Sequence, residues 1–246
     1  MMDGNPARIA DAEPEIVEPA DPVHAVGVGP GNEEFLTERA VRVLERADVV
    51  AGFETVTRRI TDVTDADTLA CSYDDQTEVL SRFGDRVVDG ETGVAVLWGD
   101  PNISGYQFLG RVETAVEPPV RVVPGISSVQ IAASRSRTPL ERSTFASLHR
   151  RGDVVDDIDR LSDAVSAGRH LIVIVRPYDW MPPEIARGLV ERGADPTLTA
   201  LVLQDLTLSE ERIERTTLGE LAGVEEPNER SYSDRTILTV RTDHDE

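Results

Sequence analysis

His24-Ala25-Val26-Gly27-Val28-Gly29-Pro30-Gly31-Asn32 is the stretch whose reading decides the fold. Its first residues are apolar without polar alternation, as in a strand buried on both faces. The run then breaks into a glycine-rich turn. Glycine there serves either a tight β–α turn or the close approach of a ligand to the backbone. A dinucleotide fingerprint would need glycine at position 32, where Asn32 stands, and Pro30 also departs from that pattern. A nicotinamide dehydrogenase is therefore disfavoured.

Downstream, Leu36, Ala40, Val43, Leu44 and Ala47 recur at helical spacing, which predicts a helix over Glu33–Ala47. Strands are predicted at Asp48–Ala51, Gly93–Leu97 and Arg121–Val123, with helices at Gln76–Val88 and Ser127–Arg135. This β–α alternation argues for a mostly parallel sheet covered on both faces. The second half differs. Strand signals at Thr144–Leu148 and His170–Val175 alternate with helices at Val155–Ala167 and Pro183–Arg192. Three more strand signals, Thr197–Gln204, Arg212–Thr216 and Thr236–Arg241, follow with little helix between them, so the second sheet should be mixed. The expected fold class is α/β, as two α/β domains with a cleft between them. A boundary near Pro139–Ser143 gives an acidic, disordered tail over 1–22 and domains over 23–140 and 141–246.

Composition removes several kinds of chemistry. The chain has 246 residues, 46 Asp+Glu against 25 Lys+Arg, and a formal net charge of -21. Every basic residue is arginine. Without lysine there is no Walker phosphate loop and no Schiff-base enzyme. The acidic surface speaks against nucleic-acid binding. One cysteine, Cys71, excludes a disulfide framework and a cysteine-cluster metal site. The histidines are His24, His149, His170 and His244, and no metal site is expected. The apolar run Leu171–Val175 is far too short to span a membrane, and the N-terminus lacks a signal-peptide pattern. A cytoplasmic protein is expected. Its acidic, lysine-free surface suits a very salty, halophilic cytoplasm.

Two further motifs follow strands. Trp98-Gly99-Asp100-Pro101-Asn102-Ile103-Ser104-Gly105-Tyr106 lies where α/β folds bind ligands. Asp100 either holds a hydroxyl or cationic group or is a turn-forming residue. In Pro124-Gly125-Ile126-Ser127-Ser128, the serines either cap a helix or face a ligand. The conjunction of three such loops in one half of the chain is more specific than any one alone.

Together GVGPGN, LTERAVRVLERADVVAG, GDP and VVPGISSVQIAA resemble the tetrapyrrole methylase family, over about residues 23–241. That family transfers methyl groups from S-adenosylmethionine. The second half, with SLHR from Ser147, PPEIA from Pro182 and the series from Gln204 to Leu221, most resembles members that methylate carbon 5 of a corrinoid ring in cobalamin synthesis. Its PGISS segment also resembles members acting at carbon 20. A non-catalytic, cofactor-binding regulatory protein of the same fold is the other reading.

The resemblance implies S-adenosylmethionine folded between the domains. Gly29, Pro30 and Gly31 would line the floor. Gly99, Asp100, Ile103 and Ser104 would hold the methionine end, with Ser127 and Ser128 nearby. Leu148, Leu203 and Gln204 would surround the adenosine. Trp98 and Asn102-Ile103 depart from the family's small residue and glycine-phenylalanine continuation. Methyl transfer needs alignment and exclusion of water rather than a nucleophilic side chain. His149 and Asp100 are the candidates to accept a ring proton. Arg135, Arg137, Arg150 and Arg151 either bind the carboxylates of the tetrapyrrole substrate or are solvated arginines balancing nearby acids. The resemblance further implies a homodimer. Some relatives carry a fused carbon-15 methyltransferase and decarboxylase. Since this sequence stops just after its last strand signal, that activity is expected on a separate protein.

Overall fold

A computed structural model describes residues 20–103, 105–150, 152–224 and 232–242. It divides into two compact units, 1–127 and 128–246, and each is described on its own.

The first unit is built on strands β1 (Val23–Gly27), β2 (Val49–Phe53), β3 (Asp67–Cys71), β4 (Gly93–Leu97) and β5 (Val120–Val123). They form one sheet in the order β3-β2-β4-β1-β5, and every pairing is parallel. Helices α1 (Glu38–Leu44), α2 (Glu54–Thr57), α3 (Gln76–Val88) and α4 (Tyr106–Ala115) connect them. Alternate strand residues feed two cores. Ala25, Ala95 and Leu97 pack with Leu80, Phe83, Phe108 and Val112, while Val26, Val94 and Val96 pack with Ala40, Leu44 and Ile60. Burial on both faces explains the unbroken apolar strands.

Residues 33–47 do not form one helix. A 3₁₀ turn spans Glu33–Phe35, and α1 restarts at Glu38. Thr37 is extended and its Oγ1 accepts the Ala40 N–H at 3.1 Å, a cap that ends the first piece and begins the second.

The second unit carries α5 (Ser128–Ser136), β6 (Ser143–Ser147), α6 (Val155–Ser166), β7 (His170–Ile174), α7 (Pro182–Glu191), β8 (Thr199–Gln204), β9 (Arg212–Thr217), α8 (Leu218–Ala222) and β10 (Ile237–Arg241). Sheet order is β6-β7-β10-β8-β9. Only β6 and β7 pair in parallel, so the sheet is mixed. Ile158, Leu161, Ile185 and Leu189 cover one face against Leu171, Val173, Val202 and Leu238. Solvent-exposed Arg212–Arg215 form the outer edge, where charge discourages pairing with another chain.

The sequence pattern suggests a boundary near Pro139–Ser143. The division falls earlier because α5 packs on β7 and β10 of the second sheet. Residues 1–19, most of the expected tail, lie outside the described residues. Among those described, no helix is long and apolar enough to cross a membrane.

Candidate functional site

Strand order places the site. In the first sheet β1 and β4 are neighbours, yet β1 continues toward β2 on one side and β4 toward β5 on the other. Connections that part in this way leave a crevice outside the carboxyl ends of both strands, where α/β sheets bind ligands. The loops there are 28–32 and 98–105, and the β5 loop, 124–127, comes alongside.

Glycine makes their approach possible. A Cβ added at Gly27 would lie 2.5 Å from Gly99 O and 2.7 Å from Gly125 N. One added at Gly125 would lie 2.2 Å from Gly99 O and 2.7 Å from Gly27 O. Gly29 and Gly99 donate to each other's carbonyls, at 3.3 and 2.9 Å. Gly29, Gly31 and Gly99 have φ of +78°, +134° and +64°, in or near the left-handed region that favours glycine. At Gly99 an added Cβ would meet only Ser127 Cα, at 3.7 Å. Gly27 and Gly125 are thus fixed by backbone packing, whereas Gly99 fronts open space.

Asp100 ties the loops together. Its Oδ2 accepts the Gly125 N–H at 3.1 Å, and its Oδ1 accepts from Asn102 N and Nδ2 at 2.8 and 3.0 Å. The Ile103 N–H closes the turn on Asp100 O at 2.9 Å. Asp100 is thus turn-forming and set at the strand ends. Trp98 packs partly buried against the Ala40–Leu44 side of the sheet. Pro30 is buried, Ile103 and Ser128 are half-buried, and Ser127 is 2% exposed. Ser104 lies outside the described residues.

The second unit has a carboxyl edge of its own. Because β10 runs against both β7 and β8, the ends of β6, β7 and β8 share one side of the sheet. Leu148 and Leu203 are wholly buried there. The Leu148 N–H donates to Ile174 O at 2.9 Å, and its carbonyl accepts from Arg150 N at 2.7 Å. Gln204 Oε1 accepts the Ser233 N–H at 2.9 Å, leaving Nε2 without a partner among the described residues. Arg176 binds the loops after β6 and β7. It grips Asp179 through two bonds of 2.7 Å and donates to Gly152 O at 2.7 Å. Tyr178, Asp205 and Thr207, all on this edge, have positive φ without being glycine.

The proposed arginines are scattered in role. Arg135 Nε donates to Glu211 Oε1 at 2.9 Å. Arg150 pairs with Asp157, which also binds Arg160. Arg137 has φ +54° and ends α5: its N–H and that of Thr138 bond back to Ser134 O and Ala133 O. Arg151 lies outside the described residues. His149 is exposed beside Arg150; loss of water around its ring pushes its pKa down, and Asp234 opposes that shift. Glu211, Asp205, Arg235 and Arg176 were not singled out by sequence, because their partners are distant along the chain or belong to loops without a motif.

The chain is similar to several known proteins. A relative from Methanocaldococcus jannaschii, described as a probable cobalt-precorrin-7 C(5)-methyltransferase, is 26% identical over 200 residues, covering 81% of this chain and 91% of the relative. A siroheme synthase from Methylobacillus flagellatus is 30% identical over 83% of this chain, which spans only 46% of that protein. A solved cobalt precorrin-4 methyltransferase superposes with a TM-score of 0.72 at 21% identity, covering 89% of this chain and 94% of its own. A uroporphyrin-III C-methyltransferase from Thermus thermophilus, solved with S-adenosyl homocysteine, gives 0.66 at 23%, covering 89% and 92%. Residues 22–222 match the model of the tetrapyrrole (corrin/porphyrin) methylases, and the chain belongs to that family.

Proposed function

We propose that this chain methylates carbon 5 of a corrinoid macrocycle in cobalamin biosynthesis, using S-adenosylmethionine. The observation that carries the methyl-donor half is the glycine junction at the ends of β1, β4 and β5, with its opening over Gly99. A cradle without side chains suits a ligand held by backbone groups. The family and the S-adenosyl homocysteine complex of the Thermus relative support that donor. The carbon-5 acceptor rests on the Methanocaldococcus relative and on the SLHR and TLGEL segments.

Gly29, Pro30, Gly31, Gly99, Ile103, Ser127 and Ser128 would hold the donor, and Asp100 would fix the loops around it. Gln204 would meet the adenosine through its Nε2, whereas Leu148 and Leu203, wholly buried beneath that edge, would support it rather than touch it. When bound, S-adenosylmethionine supplies a methyl group on a sulfonium centre to an electron-rich carbon. The chain's residues orient the two partners and keep water out. His149, whose pKa is pushed below its ordinary value by loss of water around the ring, would accept the ring proton. We assign Asp100 to positioning, since both its oxygens already hold the loop. Arg137, Arg150 and Arg151 are the residues to test for substrate carboxylates. The enzyme is proposed to act as a homodimer on a free tetrapyrrole.

Incubation with methyl-labelled S-adenosylmethionine and a cobalt-precorrin substrate tests this reading. One methyl added, located at carbon 5 by NMR, is expected. A methyl at carbon 20 would move the assignment within the family. Cofactor binding with no transfer would favour the regulatory reading.

A further inference from the structure

We propose that Arg135 and Glu211 form a latch that holds the turn after β8 in its left-handed shape, and so position Gln204 toward the cofactor. This rests on the reading that Gln204 faces S-adenosylmethionine.

The turn begins immediately after Gln204. Asp205 has φ +49° and Thr207 has φ +70°. A β-branched residue at such an angle is a real outlier, because its Cβ crowds the backbone. Conformations of this kind persist only where the surroundings over-determine them, and they gather at ligand sites. Here the restraint is visible. Glu211 Oε2 accepts the Thr207 N–H at 2.7 Å, while its Oε1 takes Arg135 Nε at 2.9 Å. Asp205 Oδ1 is held by Arg235 Nε at 2.8 Å. Leu208 N–H bonds to Asp205 O and Glu211 N–H to Leu208 O, both at 3.0 Å, closing the loop on itself.

An exposed ion pair alone would mean little. This one differs because Glu211 is partly shielded, its side chain 24% exposed, and one of its oxygens grips the backbone of a strained residue. Charge-assisted bonds to both oxygens are stronger than neutral ones. Arg135 stands in the last turn of α5, the helix that the Pro124–Ser128 motif opens. A single side chain thus connects the helix behind one motif to the turn behind another. Arg135 is also one of the arginines the sequence marks as candidates for substrate carboxylates, and its Nε donates to Glu211.

Calorimetric titration with S-adenosylhomocysteine, on the full chain, tests the latch. Glu211→Gln and Arg135→Gln should each weaken binding about tenfold, because a relaxed turn leaves fewer binding-competent molecules. The double variant should be little worse than either single. Hydrogen exchange should show the Thr207 amide losing protection. Thr207→Gly in the Glu211→Gln background should restore affinity to within about threefold, since glycine takes positive φ without the Cβ clash. A merely structural pair would lower the melting temperature and leave the affinity of the folded protein unchanged, which would overturn the proposal. Gln204→Ala separates the two ideas. If it weakens binding while Glu211→Gln does not, the latch alone is wrong. If Gln204→Ala has no effect in a chain that binds, the placement of the cofactor at Gln204 is wrong and the latch falls with it.

Discussion

At the carboxyl edge of the first sheet, Gly27, Gly99 and Gly125 meet chiefly through backbone atoms, with the Asp100 carboxylate holding the Gly125 N–H. At the same edge of the second sheet, Arg135, Arg176 and Arg235 hold the loops through charged side chains. Both edges bring three chain segments together, with different materials. Close backbone packing resists salt and pH but rejects any added atom. Charged clamps tolerate local volume changes but depend on ionisation and screening.

The sharpest break of this contrast is Gly125→Ala. Its Cβ would sit 2.2 Å from a carbonyl oxygen, so backbone must move. We expect a stability loss of about 3 kcal/mol and, in the remaining folded protein, about a hundredfold weaker S-adenosylhomocysteine binding. Thermal melts and calorimetry measure the two. Next comes Asp100→Asn, which weakens the side-chain tie to Gly125 in that junction. Binding should fall about tenfold, with kcat at saturation nearly unchanged. A collapse of kcat at unchanged affinity would instead make Asp100 the proton acceptor.

A pH series separates the two edges directly. Arg135 and the Thr207 N–H hold the Glu211 carboxyl below its ordinary pKa despite the opposing effect of burial. Its contribution is therefore present above the unfolded pKa and lost as pH falls through the folded one. Amide protection at Thr207, corrected for intrinsic exchange, should decline on acidification. That of Gly99, whose N–H bonds to a backbone carbonyl, should persist over the same range. Parallel loss would erase the contrast. Salt gives a smaller effect. The proposed substrate is a polyanion and the chain carries -21, so screening should maintain or improve substrate affinity toward molar salt. A steep fall would show that the arginine contacts dominate. The least effect belongs to Cys71, whose buried thiol is pushed up to about 11 by loss of water and by Asp75. Iodoacetamide at pH 8 should label it slowly and leave cofactor binding intact.

Legibility followed the same division. Strands buried on both faces announced themselves as apolar runs, and glycine loops at their ends were visible because glycine is needed there. Strand β3, Asp67-Thr-Leu-Ala-Cys71, was not read, since it is an exposed edge with little apolar pattern. Helix α4 hid behind the Gly99–Gly105 loop, and its own Gly110 dilutes the signal. Helix α8 is only five residues long, and it stands on a capping box from Thr217 and Glu220 rather than on periodicity. Within the site, Asp100 was found from its loop, but its bond to Gly125 crosses 25 positions. Arg135 and Glu211 are 76 apart, so no local pattern could connect them.

The meeting of Gly27, Gly99 and Gly125 also constrains how such a site can be redesigned. A side chain at Gly27 or Gly125 would strike backbone belonging to the other two, so neither position can be exchanged by itself. Trimming a neighbour offers no relief, because the obstacle is main chain. An engineer seeking another acceptor would leave the three glycines fixed and vary residues elsewhere. In that sense the floor of the site behaves as a fixed part, and new specificity has to be drawn from its walls.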